Sequence, residues 1–231
     1  MNRWELIECV AVPEGGEMRL YRRDSEYSIR VDGQELMNSR LHGSEEELAH
    51  RVCARLVQRR RPRVLVGGLG MGYTLSAVLA SLDASAEVTV AELVPAVVTW
   101  NLGPLRHLAN GPLLDPRVIV QQVDVASLLF GALARYDAVL LDVDNGPEGL
   151  TRGGNGRLYS LAGLLAIRRA LTAGGCFGVW SAGPDRRFGL RLRQAGFDVS
   201  EARVSARGAD RGGGRHTLWI GALQPQSPNK R

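Results

Sequence analysis

The chain has 231 residues, 45% hydrophobic and 23% charged, enough for one α/β domain with an appendage and too apolar for intrinsic disorder or a collagen-like repeat. The net charge of +5 rests on arginine, because Lys230 is the single lysine. Aromatic residues are only 6%. The basic and aromatic interleaving of a nucleic-acid groove is therefore missing, no nucleic-acid partner is expected, and the arginine excess reads as a property of composition and surface.

Residues 1–43 read as a small β-hairpin region. Short alternating runs, WELIECVAV, EMRLYRR and EYSIRV, are broken by Pro13-Glu14-Gly15-Gly16 and closed by Asp32-Gly33, a strong hairpin signal. No apolar signal-peptide run opens the chain. Cys9, Cys53 and Cys176 form no C-x-x-C pair, so a cytoplasmic location and no metal are expected.

Residues 44–60 switch to helical spacing, with Leu48, Val52 and Leu56 on one face and Ser44 and Glu47 spaced as a capping box. The run Arg59-Arg60-Arg61-Pro62-Arg63 falls where this helix should end, and cations there favour the helix dipole. The uncharged stretch over residues 64–82 has the length of a membrane span, but the glycines inside it make it strand, loop and helix, and no membrane contact is expected.

From there strands and helices alternate: VLVGG, a helix over 73–82, VTVAEL, a helix over 94–101, VIVQQVD, a short helix near 126–133, and YDAVLLDVD. A glycine-rich segment, a helix over 161–171, CFGVWSAG, a helix over 186–195, FDVSEARV and HTLWIGAL follow. Continuous apolar strands separated by helices predict a doubly wound, mostly parallel, Rossmann-like α/β sheet over residues 44–223. The last two strands, joined by a loop, predict an antiparallel C-terminal edge. Residues 224–231 are polar and read as a disordered tail.

In such a sheet the ligand site lies outside the carboxyl ends of the strands. Gly68, Gly70 and Gly72 follow the first parallel strand and let a ligand approach the backbone. Glu92, at the next strand end, can accept both hydroxyls of a ribose, and Asp124 at the third can accept the exocyclic amine of adenine. The glycines lack the G-x-G-x-x-G spacing of a pyrophosphate turn, so S-adenosylmethionine fits better than a dinucleotide. The fourth strand ends in Asp142-Val143-Asp144-Asn145-Gly146-Pro147, too polar for a core and, if not functional, a solvated turn.

In this order of elements, followed by Leu158-Tyr159-Ser160, the chain resembles the spermidine synthases and their relatives, which share the class I S-adenosylmethionine-dependent methyltransferase fold; the resemblance runs from about Glu17 to Leu223. It implies that the glycine loop, Glu92 and Asp124 hold the nucleoside, and that Asp142 is the carboxylate that deprotonates an attacking amine. Asp142, Asp144 and Tyr159 are the candidate catalytic residues. A homodimer, common among such relatives, is expected. The departures are specific. Gly70 stands where the family loop has an Asp for the ammonium of decarboxylated S-adenosylmethionine, Glu45-Glu46-Glu47 replace Tyr-His-Glu, Leu36 replaces Gln, and the Asp-x-x-Asp-Pro spacing is shortened.

Without the loop acid, intact S-adenosylmethionine should be accepted, its carboxylate meeting Arg40, His42 or backbone N–H groups. Val66 replaces the acid that opens the motif of ordinary methyltransferases, so the methionyl ammonium falls to Asp142. Asn145, Glu46 and Glu47 are further candidates for a cationic substrate, although the three glutamates also suit an acidic first helical turn. Residues 151–156 have the composition of a lid or of an ordinary surface loop. His216 reads as structural.

The expected activity is alkylation of a small, amine-type acceptor by methyl or 3-amino-3-carboxypropyl transfer. A true aminopropyltransferase using the decarboxylated donor and a polyamine is the alternative, with a non-catalytic nucleoside-binding protein and, from the arginines, a nucleic-acid methyltransferase behind it.

Overall fold

A computed structural model describes residues 3–13, 15–143, 155–207 and 214–224. Four strands come first: β1 (Glu5–Ala11), β2 (Glu17–Arg23), β3 (Glu26–Val31) and β4 (Gln34–Asn38). They pair as an antiparallel meander in chain order. The β3–β4 turn is Asp32-Gly33, with φ of +48° and +83°, the two left-handed residues a tight hairpin needs.

Then come α1 (Gly43–Cys53), β5 (Arg63–Gly67), α2 (Tyr73–Ser81), β6 (Glu87–Ala91), α3 (Pro95–Leu102), β7 (Val118–Gln121), α4 (Val125–Phe130) and β8 (Tyr136–Leu141). After the undescribed stretch follow α5 (Asn155–Leu158), α6 (Leu161–Ala170), β9 (Leu171–Ser181), α7 (Arg186–Gln194), β10 (Asp198–Ser205) and β11 (Arg215–Ala222). The large sheet has the order β10-β11-β9-β8-β5-β6-β7. Strands β5 to β9 run parallel, and β11 and β10 form the antiparallel edge. This is the Rossmann-like sheet, with its smaller N-terminal β region, that the alternation of elements predicts.

Side chains alternate between the two faces of the large sheet. Val64, Val66 and Leu140 join a core built with Leu48 of α1, Leu75 of α2 and Trp100 of α3. Leu65, Val139 and Leu141 join a second core with Leu129, Ile167 and Phe188. The buried face of the small sheet, Met18, Leu20, Ile29 and Val31, belongs to the first of these cores. The indole Nε1 of Trp100 donates to Glu8 Oε2 at 2.5 Å, fastening α3 to β1.

Two local expectations are corrected. Ser44 and Glu47 do not form a capping box: His42 is the N-cap and no side chain caps the helix. Ser44 is fully buried and its hydroxyl is taken by inner partners, while Glu47 turns outward and accepts from Arg51 at 2.7 Å. Helix α1 also stops at Cys53, giving way to a 3-10 turn over Ala54–Leu56. Arg59, expected to serve the helix dipole, instead donates to the Ala173 carbonyl and lies 3.4 Å from Asp137, tying this end to the sheet. Among the described residues no helix is long and apolar enough to cross a membrane.

Candidate functional site

Strand order reverses between β5 and β8, whose neighbours run off in opposite directions, and this opens a crevice at their carboxyl ends. Asp142 N donates to Gly67 O and Gly68 N to Ala91 O, each at 2.9 Å, so three strand ends are stitched together beneath the glycine loop. Gly68 has φ of +88°, and a Cβ there would run into the Asp142 carbonyl. Only glycine lets the loop pass this close. A cavity of about 360 Å³ lies at this edge, walled on one side by the loop and strand ends and on the other by Met18, Ile29, Leu36 and Met37 of the small sheet.

Glu92, just beyond β6, is 8% exposed and lines the cavity. Its Oε2 accepts from Leu69 N at 3.0 Å and its Oε1 from Val94 N at 2.8 Å. Each carboxylate oxygen has two acceptor sites, so a diol can still be bound by an acid held in this way. Asp124 lines the same wall and caps α4, accepting from Ala126 N at 2.8 Å.

Asp142 accepts from the Thr74 hydroxyl at 2.6 Å, and burial raises its pKa in spite of that bond. Glu45 reaches the cavity from α1 and is 6% exposed. Burial first, and the nearby Asp142 charge second, push its carboxyl up to about 8. The Glu45 carboxyl thus holds a proton at neutral pH, and a cation bound beside it would favour its loss.

Glu92, Asp124 and Asp142 therefore meet in one cavity with Gly68 and Gly70. Gly70, with φ of +52°, faces the small sheet, where the Met37 sulfur would lie 2.8 Å from an added Cβ. Gly72 is the N-cap of α2, with φ of +85°, and stands against Asn101 and Pro112 instead of the cavity. Tyr159 is packed in the second core with its ring 5.7 Å from Phe188, away from the cavity lining.

Arg40 is exposed and lies 3.4 Å from Glu26. His42 stacks on Tyr73 and contacts Glu46 at 2.8 Å, while Glu47 pairs with Arg51 at 2.7 Å. None of these four lines the cavity. Asp144, Asn145 and residues 151–154 of the lid-like segment lie outside the described residues.

Sequence reasoning missed Thr74, Ser44 and Trp180, and gave Glu45 no weight above its neighbours. A signal for Glu45 exists: it sits three residues before Leu48 and seven before Val52, on the face of α1 that turns to the sheet. Trp180 Nε1 donates to Ser44 Oγ at 2.9 Å, and Ser44 Oγ lies 2.5 Å from Glu45 Oε2 and 2.8 Å from His216 Nδ1. Both Trp180 and His216 line the cavity. Among the described residues no cluster of His, Cys, Asp and Glu is arranged to hold a metal ion.

No protein-family model matches the chain. Over 123 residues it is 35% identical to polyamine aminopropyltransferase 1 of Streptomyces coelicolor, a stretch that takes in 52% of this chain and 22% of that protein. In structure it is similar to spermidine synthase from Thermotoga maritima, with a TM-score of 0.72 at 18% identity over 94% of this chain and 72% of the other. A probable spermidine synthase from Corynebacterium glutamicum gives 0.65 at 14% identity, over 96% and 81% of the two chains. The 1,6-didemethyltoxoflavin-N1-methyltransferase of Burkholderia thailandensis, seen with S-adenosylhomocysteine, gives 0.55 at 18% identity over 79% of each chain. The chain therefore has the class I S-adenosylmethionine-dependent methyltransferase fold, and over about half of its length its sequence is similar to about a fifth of a polyamine aminopropyltransferase.

Proposed function

We propose that the protein is a transferase that binds S-adenosylmethionine and alkylates a small acceptor, an amine in the simplest case. The reading is carried by three carboxylates, Glu92, Asp124 and Asp142, set at successive strand ends around one glycine loop and one cavity. Glu92 would hold the ribose hydroxyls, Asp124 the adenine amine, and Gly68 the close passage of the donor along the backbone. The donor supplies a carbon activated by a positively charged sulfur, and that charge disappears on transfer. The protein's share is then alignment of the acceptor and removal of its proton. Asp142 and Glu45 are the carboxyls placed to take that proton.

Gly70 favours the intact donor. An acid there would oppose the methionyl carboxylate by about 4 kcal/mol for charges ~4 Å apart at an effective dielectric of about 20, before solvent reduces it. Met37 sulfur occupies the space instead.

A second reading, aminopropyl transfer from the decarboxylated donor to a polyamine, is favoured by a different observation. Glu35, Glu45, Glu92, Asp124 and Asp142 are all acidic, and His216 is the one basic side chain among the described lining residues. Calorimetric titration of the protein with each donor separates the two. One-to-one binding of S-adenosylmethionine, at least as tight as that of its decarboxylated form, is expected. Tighter binding of the decarboxylated form moves the assignment to aminopropyl transfer, and binding of neither overturns both.

A further inference from the structure

The Ser44 hydroxyl has three neighbours and one proton. Trp180 Nε1 can only donate to it, at 2.9 Å, which uses one of its two acceptor sites. The remaining partners are Glu45 Oε2 at 2.5 Å and His216 Nδ1 at 2.8 Å. Ser44 can donate to one of them and must then accept from the other. If it donates to an ionised Glu45, His216 carries its proton on Nδ1. If it donates to His216, Glu45 is protonated and His216 carries its proton on Nε2. Both arrangements satisfy every group, and the one with protonated Glu45 holds one proton more than the other.

We propose that Glu45, Ser44 and His216 form a proton relay, through which a proton released into the cavity leaves by way of the imidazole. The relay rests on the reading above, in which the acceptor loses a proton as its new bond to carbon forms. That proton lands on the Asp142–Glu45 pair, while the electrons of the broken carbon–sulfur bond stay on sulfur. Glu45 passes its proton to Ser44 Oγ, the Ser44 proton moves to His216 Nδ1, and His216 gives up its Nε2 proton to water. The line then stands with Glu45 ionised and His216 protonated on Nδ1, and it resets when Glu45 takes up the next proton and the half-buried imidazole loses its Nδ1 proton and regains one on Nε2 from water.

The line starts at a carboxyl that can hold a proton at neutral pH and ends at an imidazole that burial keeps neutral. The titratable groups that face Glu45 are Asp142 beyond β8, His216 on β11, Tyr73 on α2 and Glu46 beside it on α1. Ser44 and Glu45 belong to α1, Trp180 to β9 and His216 to β11, so the relay exists only where these three elements meet.

The test is nitrogen NMR of the histidine rings in the full-length protein, labelled with ¹⁵N and titrated through pH 8, the region in which Glu45 ionises. The His216 signals are identified by their loss in His216→Gln. The expected result is an exchange of tautomer, from Nε2–H below that pH to Nδ1–H above it. The exchange should be lost in Glu45→Gln, which keeps size and shape, and in Ser44→Ala, which removes the middle of the line. A wild-type ring that keeps one tautomer throughout overturns the relay, and so does an exchange that persists in either variant. No donor or acceptor is needed, so failure of the relay here and failure of the transferase reading in calorimetry are separate results.

Discussion

Gly70 and Glu45 both line the cavity, and each carries a prediction of its own. Gly70→Asp should restore a loop acid at a backbone conformation, φ of +52°, that aspartate tolerates better than most side chains. The flexible Met37 side chain must swing away. The expected outcome is a reversal of donor preference toward decarboxylated S-adenosylmethionine, read by calorimetry. Glu45 gives a second prediction. Its carboxyl ionises near 4.5 in an ordinary setting and near 8 in the fold. Below 4.5 it is protonated folded or unfolded. Between the two values the unfolded chain ionises and the folded one does not, so stability falls as pH rises, by up to about 1.4 kcal/mol per unit, and levels off above 8. Urea unfolding across this range should show the slope, and Glu45→Gln should flatten it.

At the scale of elements, α1 places Ser44 and Glu45, and its position depends on a close approach to β9. A Cβ on Gly178 would lie 2.6 Å from Val52 and 2.9 Å from Leu48. Gly178→Ala should therefore push α1 outward at a cost of about 1–3 kcal/mol, and weaken donor binding beyond what partial unfolding explains. Chemical denaturation and calorimetry on the same sample distinguish the two effects.

Most elements were legible in the sequence because buried parallel strands read as continuous apolar runs, and because a carboxylate at such a strand's end has few structural reasons to be there. Glu92 and Asp142 stand out on that ground, and both line the cavity. Ser44 does not, because its partners Trp180 and His216 lie 136 and 172 residues away and meet it only when the sheet closes. Local spacing assigned it to a helix cap, and long-range packing turned it inward. Glu46 and Glu47 were favoured for the same reason. Three successive glutamates look alike until the helix rotates one of them toward the sheet.

At the scale of the molecule, the small sheet contributes one wall of the cavity and shares a hydrophobic core with α1, α2 and α3. The two sheets should accordingly unfold together. Far-ultraviolet and near-ultraviolet circular dichroism are expected to give one coincident thermal transition, raised by bound donor. At a ligand concentration of about 100 times its dissociation constant the gain is about 2.7 kcal/mol. Two separated transitions would show that the small sheet is held only by its own strands.

Trp180 stands at the centre of this arrangement. Its indole N–H ends on the Ser44 oxygen, and its ring lies 4.5 Å from the imidazole of His216. The protein thus carries its own optical probe of the cavity. Indole emission responds to the electric field and proton position around it, so light from Trp180 should change with donor occupancy, and site-directed replacement of the other three tryptophans would isolate that signal without any added dye.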